Sequence, residues 1–338
     1  VDYELPNDVA CVAMRGLASA VRSDGTLSET QRSMLAAVGR YLLGCDTPPD
    51  QLEPISPAEL AAAIPEESLR RRLVHGMVAL EIIADPVPPE VVARVQEFAA
   101  ALQVDEAMLV VARDYSKGAM DLAREDYLRN SYPVEYYTEH AGDRSLHQSP
   151  APTGGLDPGL ATRWHALEQC PAGSLGRTVW DFYQLRHFAV PGTEGAVDPL
   201  LAQHDWVHCL ADYGTSAMGE IEVFSFIAGA IPDPRGFSYL VVIFGLFETG
   251  YVPRVPGVAT ADPGHLSSPG GPERFADAVR RGILTGVDVM GGIDWFAHAD
   301  QPIDDARRQL GVPPKSDDAI RAGSLSAMDP DAVFKHAR

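Results

Sequence analysis

Basic side chains are scarce in this chain. Its 338 residues carry 27 Lys and Arg against 47 Asp and Glu, a formal net charge of −20. Thirteen of the basic and 24 of the acidic residues lie up to Pro150, with 14 and 23 beyond it, so acidity is spread over both halves. Displacing the counterions of a polyanion needs a basic footprint, and its absence argues against nucleic acid and against charge-driven binding to anionic lipid. Cysteine is sparse as well. Cys11, Cys45, Cys170 and Cys209 stand far apart, with no CxxC spacing for a structural zinc and too few for a disulfide scaffold. Long apolar runs are missing: the longest, Tyr239–Phe247, is far short of the roughly 20 residues of a membrane-spanning helix. The opening VDYELPNDVA has neither the basic n-region nor the apolar h-region of a secretory signal. The expected location is the reducing cytoplasm, with peripheral contact at a membrane left open. The remaining ligand classes are a small molecule, a metal, an apolar lipid or another protein, a second copy of the chain included.

The composition is otherwise that of a globular protein, 46% hydrophobic and 22% charged. At roughly 100–200 residues per domain, two domains are expected. The pattern is helical throughout, which predicts an all-α fold. Ser28 followed by Gln31 is a capping box, and Leu35, Val38 and Leu42 repeat after it at helical spacing. Ser56-Pro57-Ala58-Glu59 is a second helix start. Two further stripes follow, Leu69, Leu73, Met77, Leu80 and Val91, Val95, Phe98, Leu102. A helix from Asp105 to about Arg129 is weakened by Gly118. Residues 1–140 form the first unit and 141–156 a linker; the stretch Ala141–Gly159 is rich in Pro, Gly and Ser. The second unit covers 157–315, with Ser174 opening a helix through Val179, Tyr183 and Phe188. Pro199–Asp212 is a strong helical segment, and Thr215 or Ser216 caps the next, which runs to Ala230. Ser238–Thr249 fits a strand or a buried helix equally. A helix around Phe275–Gly286 carries small residues for close packing, and another from Asp304 stops at Gly311 before two prolines. Residues 316–338 read as a loose polar tail.

One constellation carries chemistry. His204 and His208 sit about 40° apart on a helix, and Asp205 borders the same face. Tyr213-Gly214 breaks that helix, so the next can fold back and bring Glu220 beside them. Two imidazoles and two carboxylates make a mixed N/O set that suits zinc, and also manganese or ferrous iron. A lone histidine in a helix is ordinarily a surface or core residue; this grouping is less readily a coincidence. Cys209 points elsewhere and reads as a core thiol. If all four side chains bind metal, no separate general base is evident, though Asp205 serves as one if it stands behind the others. Downstream, Phe224, Phe226, Ile227 and Ile231, and then Leu240, Ile243, Phe244 and Phe247, fit either plain core or the walls of an apolar tunnel.

His-Asp-x-x-His, eleven residues, then Glu is the signature of the Coq4 ubiquinone-biosynthesis family, which this chain resembles over about Asp157–Pro314. Pro171–Gly176 (PAGSLG) is similar to the family's upstream segment. Trp206, Gly214, Gly219 and Glu220 match its HDLWH…GYGT…GE context, while Thr249-Gly250 and Arg307–Pro314 (RRQLGVPP) are similar to downstream features. The resemblance implies an all-α domain holding a divalent metal, zinc first, at His204, Asp205, His208 and Glu220, with Asp205 and Glu220 as catalytic groups. It implies a tunnel for a prenyl chain, with Phe224, Ile227, Ile231, Leu240, Ile243 and Phe247 as walls. The implied activity is that of a lyase, oxidative decarboxylation of a prenylated 4-hydroxybenzoate-type ring in association with other quinone-biosynthesis proteins. In the first unit, Ala18–Leu43 and Ala79–Leu102 repeat a helix, an acidic turn and a helix, which resembles the TerB-like helical domain. Asp and Gly in those turns need no metal to explain them. Two other classes stay open for the second unit. One is a non-catalytic prenyl-lipid and metal-binding scaffold. The other is a metal hydrolase of the HD type, for which His165 or His187 and Asp233 would have to join the site.

Overall fold

A computed structural model describes residues 5–130, 156–197, 199, 201–255 and 259–333. Residues 131–140 of the first unit, 141–155 of the expected linker and 334–338 of the expected tail lie outside the described residues. The fold is all-α; among the described residues the only strands are Arg254–Val255 and Ala259–Thr260, a two-residue antiparallel pair.

The first half is a bundle of α1 (Asn7–Val21), α2 (Glu29–Val38), α3 (Pro57–Ala63), α4 (Glu67–Ile82), α5 (Pro89–Leu102), α6 (Met108–Ser116) and α7 (Met120–Asn130). Local chemistry sets its helix starts. Ser28 and Gln31, and again Ser56 and Glu59, exchange both hydrogen bonds of a capping box. The stripes on α4 and α5 are buried throughout. The two repeat turns lie side by side: the Ser23 hydroxyl donates to Glu90 Oε1 at the start of α5. The single helix expected over Asp105–Arg129 is instead two, because Gly118 takes φ +68°, which ends α6 and turns the chain into α7.

The second half contains α8 (Pro158–Ala166), α9 (Leu175–Arg186), α10 (Leu201–Ala211), α11 (Ala217–Ala230), α12 (Ser238–Phe244), α13 (Gly271–Thr285), α14 (Ile303–Gln309) and α15 (Asp317–Arg321). The ambiguous Ser238–Thr249 segment is helical: α12 runs into a π-turn over Gly245–Thr249 that closes at Gly250. Phe188 falls outside the helix assigned to it, since α9 ends at the left-handed His187, and its ring is exposed. Helices α11 and α13 cross with their backbones in contact. A Cβ on Gly282 would strike the Phe226 carbonyl oxygen, and one on Gly229 would lie 2.5 Å from that of Val279, so glycine at the crossing is a steric requirement.

Residues 316–333 do not hang loose. Ala319, Ala327 and Ala332 are buried, and Lys315 donates to the Leu325 carbonyl at 2.7 Å, which folds the segment back on the body. The two halves share one continuous apolar core. The Tyr251 hydroxyl, near the end of the second half's π-turn, donates to the Ala84 carbonyl and accepts from the Val87 amide, both at 3.1 Å. The His75 ring stacks on Phe237 at 4.4 Å. Tyr41 donates to Asp318 at 2.7 Å.

One buried group in α4 is set apart from this packing. Both carboxylate oxygens of Glu81 are buried without a hydrogen-bond partner among the described residues, and burial pushes its pKa from 4.5 to about 8. The folded state therefore holds the proton after the unfolded state has lost it. The stability this confers is complete below the unfolded value and falls as pH rises to about 8. Glu81→Gln is expected to leave the urea midpoint nearly unchanged at acid pH and to stabilise the protein above pH 8 by about 3–5 kcal/mol. Urea unfolding across that range checks it; equal effects at both ends would contradict the assignment.

Candidate metal centre

Every residue of α10 from Ala202 to Ala211 is buried, as befits a helix surrounded on all sides. Behind it Trp206 stacks on Trp295 at 5.8 Å and meets Trp164 edge-on at 5.6 Å. The opposite side carries His204, Asp205 and His208, whose ligand atoms all lie within 4.8 Å of one another. Asp212, at φ +65°, and the loop through Gly214 turn the chain so that Ser216 caps α11, its hydroxyl accepting from the Gly219 amide. Glu220 thereby falls in the first turn of α11, where the helix dipole favours a carboxylate. The structure brings it to the three others: Glu220 Oε1 is 3.4 Å from His208 Nε2, and Oε2 is 3.9 Å from His204 Nε2.

The two imidazoles are oriented by backbone. His208 Nδ1 lies 3.0 Å from the Tyr213 carbonyl, and His204 Nδ1 contacts that of Leu201. A carbonyl only accepts, so each Nδ1 carries the hydrogen and donates it. In a neutral ring Nε2 is then a lone pair, and both Nε2 atoms face carboxylate oxygens. His204 Nε2 is 3.5 Å from Asp205 Oδ1. His208 Nε2 and Glu220 Oε2 are buried without a hydrogen-bond partner among the described residues. Lone pairs set against anions in a dry interior repel unless a cation lies between them. The donor set, its tautomers and its orphaned atoms thus fit a divalent metal, with His204 Nε2, His208 Nε2 and carboxylate oxygens of Asp205 and Glu220 as ligands. Burial pushes the Glu220 carboxyl up, but positive charge at His208 and then at His204 outweighs it and holds the group below its ordinary range; a cation between the two Nε2 atoms would place charge at the same point.

Several residues that the spacing argument did not single out complete the site. The Tyr183 hydroxyl donates to Asp205 Oδ2 at 2.6 Å, which fixes the carboxylate and turns Oδ1 toward His204. Burial first, and then the Asp205 charge, drive the Tyr183 phenol well above its ordinary pKa, so it remains a donor. Arg186, buried and stacked 3.6 Å over the Phe182 ring, donates to Thr215 Oγ1 and to the Ala327 carbonyl. The last carbonyls of α10 are capped by two arginines: Arg307 donates to Cys209 and Leu210, and Arg281 to Ala211. The C-terminal segment clamps the connecting loop, since the Thr215 amide donates to Ala332 at 2.7 Å and the Ala327 amide to Asp212 Oδ1 at 3.1 Å. Gly214 is needed there because a Cβ would overlap Ala332. Neighbouring residues give no signal for Arg186, beside His187, or for Arg281, beside Arg280; their hydrogen-bond targets Thr215, Ala327 and Ala211 belong to distant segments.

The remaining assignments divide. Cys209 is a core thiol, pushed well up by burial. Phe224, Ile227, Ile231, Leu240, Ile243 and Phe247 are all buried in the common core. Phe224 stacks on His204 at 5.3 Å, so that apolar group begins at the site. His165 and His187 are exposed, unlike His204, Asp205, His208 and Glu220.

The His204→Ala/His208→Ala double variant is expected to lower bound metal from one per chain to none by elemental analysis, with the helical circular-dichroism spectrum kept. Tyr183→Phe removes only the bond to Asp205 and is expected to weaken metal affinity about 10–100-fold in a chelator competition. Full metal retention in the double variant would sink the site. No protein-family model and no curated protein matches this chain, so the reading of the site rests on its own geometry.

Proposed function

We propose that this protein is a metal-dependent lyase of the ubiquinone-biosynthesis type, acting on an apolar-tailed 4-hydroxybenzoate-type acid. The observation that supports it most is the convergence of His204, Asp205, His208 and Glu220, in the signature order, on one buried point. A divalent cation bound there, zinc first and manganese or iron next, supplies Lewis acidity toward a phenolic or carboxylate oxygen. His204 and Glu220 keep slight exposure while His208 has none, so an incoming acid would reach the site past them. Phe224, stacked on His204, offers the start of an apolar path for the tail. Where His204, His208 and Glu220 alone would hold the metal, Asp205 Oδ1, the oxygen not taken by Tyr183, is left to accept the substrate hydroxyl proton. Loss of carbon dioxide needs only a proton returned to the ring carbon. Replacing the carboxyl by hydroxyl is a two-electron oxidation and draws on an external oxidant such as dioxygen.

A second reading has its own support. A site with four protein ligands and no open position is the arrangement of structural metals, which suits a prenyl-lipid scaffold. Here His204, Asp205 and His208 form the tight group and Glu220 stands at its edge. That makes Glu220 the residue that separates the two readings.

The test titrates 4-hydroxybenzoates with tails of increasing length against metal-loaded and metal-stripped protein. Affinity is expected to rise by about 0.8 kcal/mol per buried methylene until the site is full, and to drop when metal is removed. Glu220→Ala is expected to abolish turnover while the fold persists. Affinity indifferent to tail and metal would refute the proposal. Tail-dependent binding with no turnover in the unsubstituted protein would leave the scaffold, and preferential nucleotide hydrolysis would favour the HD type.

A further inference from the structure

Two thiols that lie far apart in the sequence meet in the fold. Cys11 on α1 and Cys45, just beyond the π-turn Gly39–Leu43 that extends α2, have their sulfurs 3.0 Å apart and are both free. About 1 Å of further approach makes a disulfide. Cys45 is buried and its backbone is pinned: its amide donates to the Gly39 carbonyl at 2.9 Å, and the preceding Gly44 takes φ +74°. Cys11 is half-buried and therefore the thiol that solvent reaches first. Cys170 and Cys209 have no part in this pair.

We propose that Cys11 and Cys45 are a modification site, forming a disulfide when the protein meets a low-molecular-weight disulfide, with Cys11 attacking and Cys45 resolving. Cys11 gives its proton to solvent, and its thiolate attacks one sulfur of the oxidant. A mixed disulfide forms, and the expelled thiolate takes up a proton. Cys45 then gives up its proton, attacks Cys11 Sγ and expels the second thiolate. Two cysteines lose two electrons in all, and the oxidant is reduced to two thiols. The hydrogen bond with Cys45 and burial hold the Cys11 thiol above its ordinary pKa, so the first step quickens as pH rises. The bond would tie α1 to the π-turn whose Arg40 and Tyr41 hold Asp318 of α15. It would thereby constrain both the first half and its seam with the second.

The experiment incubates the full chain with glutathione disulfide at mildly alkaline pH, alkylates the remaining thiols and maps non-reduced peptides by mass spectrometry. The expected product joins the peptides of Cys11 and Cys45, and its melting temperature lies several degrees above that of the reduced protein. In Cys45→Ser a glutathione adduct should persist on Cys11, because nothing resolves it. Full alkylation of both residues after oxidation, or a stable glutathione adduct on Cys11 in the unsubstituted protein, would overturn the proposal. The cross-link in the unsubstituted protein decides the matter even if Cys45→Ser fails to fold.

Discussion

The interior around α10 is organised by one electrostatic conflict. Two imidazoles, each committed through Nδ1–H to a backbone carbonyl, direct Nε2 at carboxylates that are themselves buried. Moving a carboxylate from water into a protein interior costs several kcal/mol even after relaxation. Arg186 is the buried cation nearest in the sequence to these groups, but its guanidinium hydrogens go to Thr215 and Ala327. A divalent cation would relieve the conflict, because it would take both lone pairs and both anions at once. The site is thus buried, rigid and rich in anionic and lone-pair oxygen and nitrogen, an arrangement that could hold a cation.

Rigidity is supplied from a distance. A ligand pair at i, i+4 is useful only if the helix end does not fray, and His208 is three residues from the end of α10. The terminal carbonyls there have no intrahelical partner. Arg281 and Arg307 satisfy three of them, and the Tyr213 amide takes that of His208. Tyr213 in turn lies beneath the Arg281 guanidinium and the Lys315 ammonium, each 4.9 Å from its ring. The carbonyl that orients His208 therefore belongs to a residue held by two cations and by the C-terminal segment.

How much of this was legible in the sequence follows from how local each cause is. Capping boxes at Ser28 and Ser56, and the apolar stripes of α4 and α5, depend on residues three or four apart, and they read correctly. His204, Asp205 and His208 share a helix, so their common face follows from helical geometry; placing Glu220 required only one turn at Tyr213-Gly214. Gly118 marks a weak point in the helical pattern, but whether a glycine weakens or ends a helix depends on its φ, which spacing does not report. The segment Ser238–Thr249 has residues at home in strand or buried helix, and burial decided it. Tyr183, Arg281, Arg307 and residues 316–333 act on the site across long separations, Tyr183 through the Asp205 carboxylate and the two arginines through backbone carbonyls, and such bonds leave no pattern in side-chain spacing. The meeting of Cys11 with Cys45 is of the same kind.

The helix α13 links these observations. One side of it lies against α11, the helix that carries Glu220, at a glycine-mediated crossing too close for any side chain at 282. Another side is covered by α2 and its π-turn from the first half. From between them α13 sends Arg281 to the end of the ligand helix. Its buried Phe275, Ala276 and Ala278 belong to the core shared by both halves. Removing the first half would bare part of α13 to water and loosen the element that sets both the α11 crossing and an α10 cap. The bundle of the first half is therefore a structural support for the helices that carry His204, His208 and Glu220, whatever else it does.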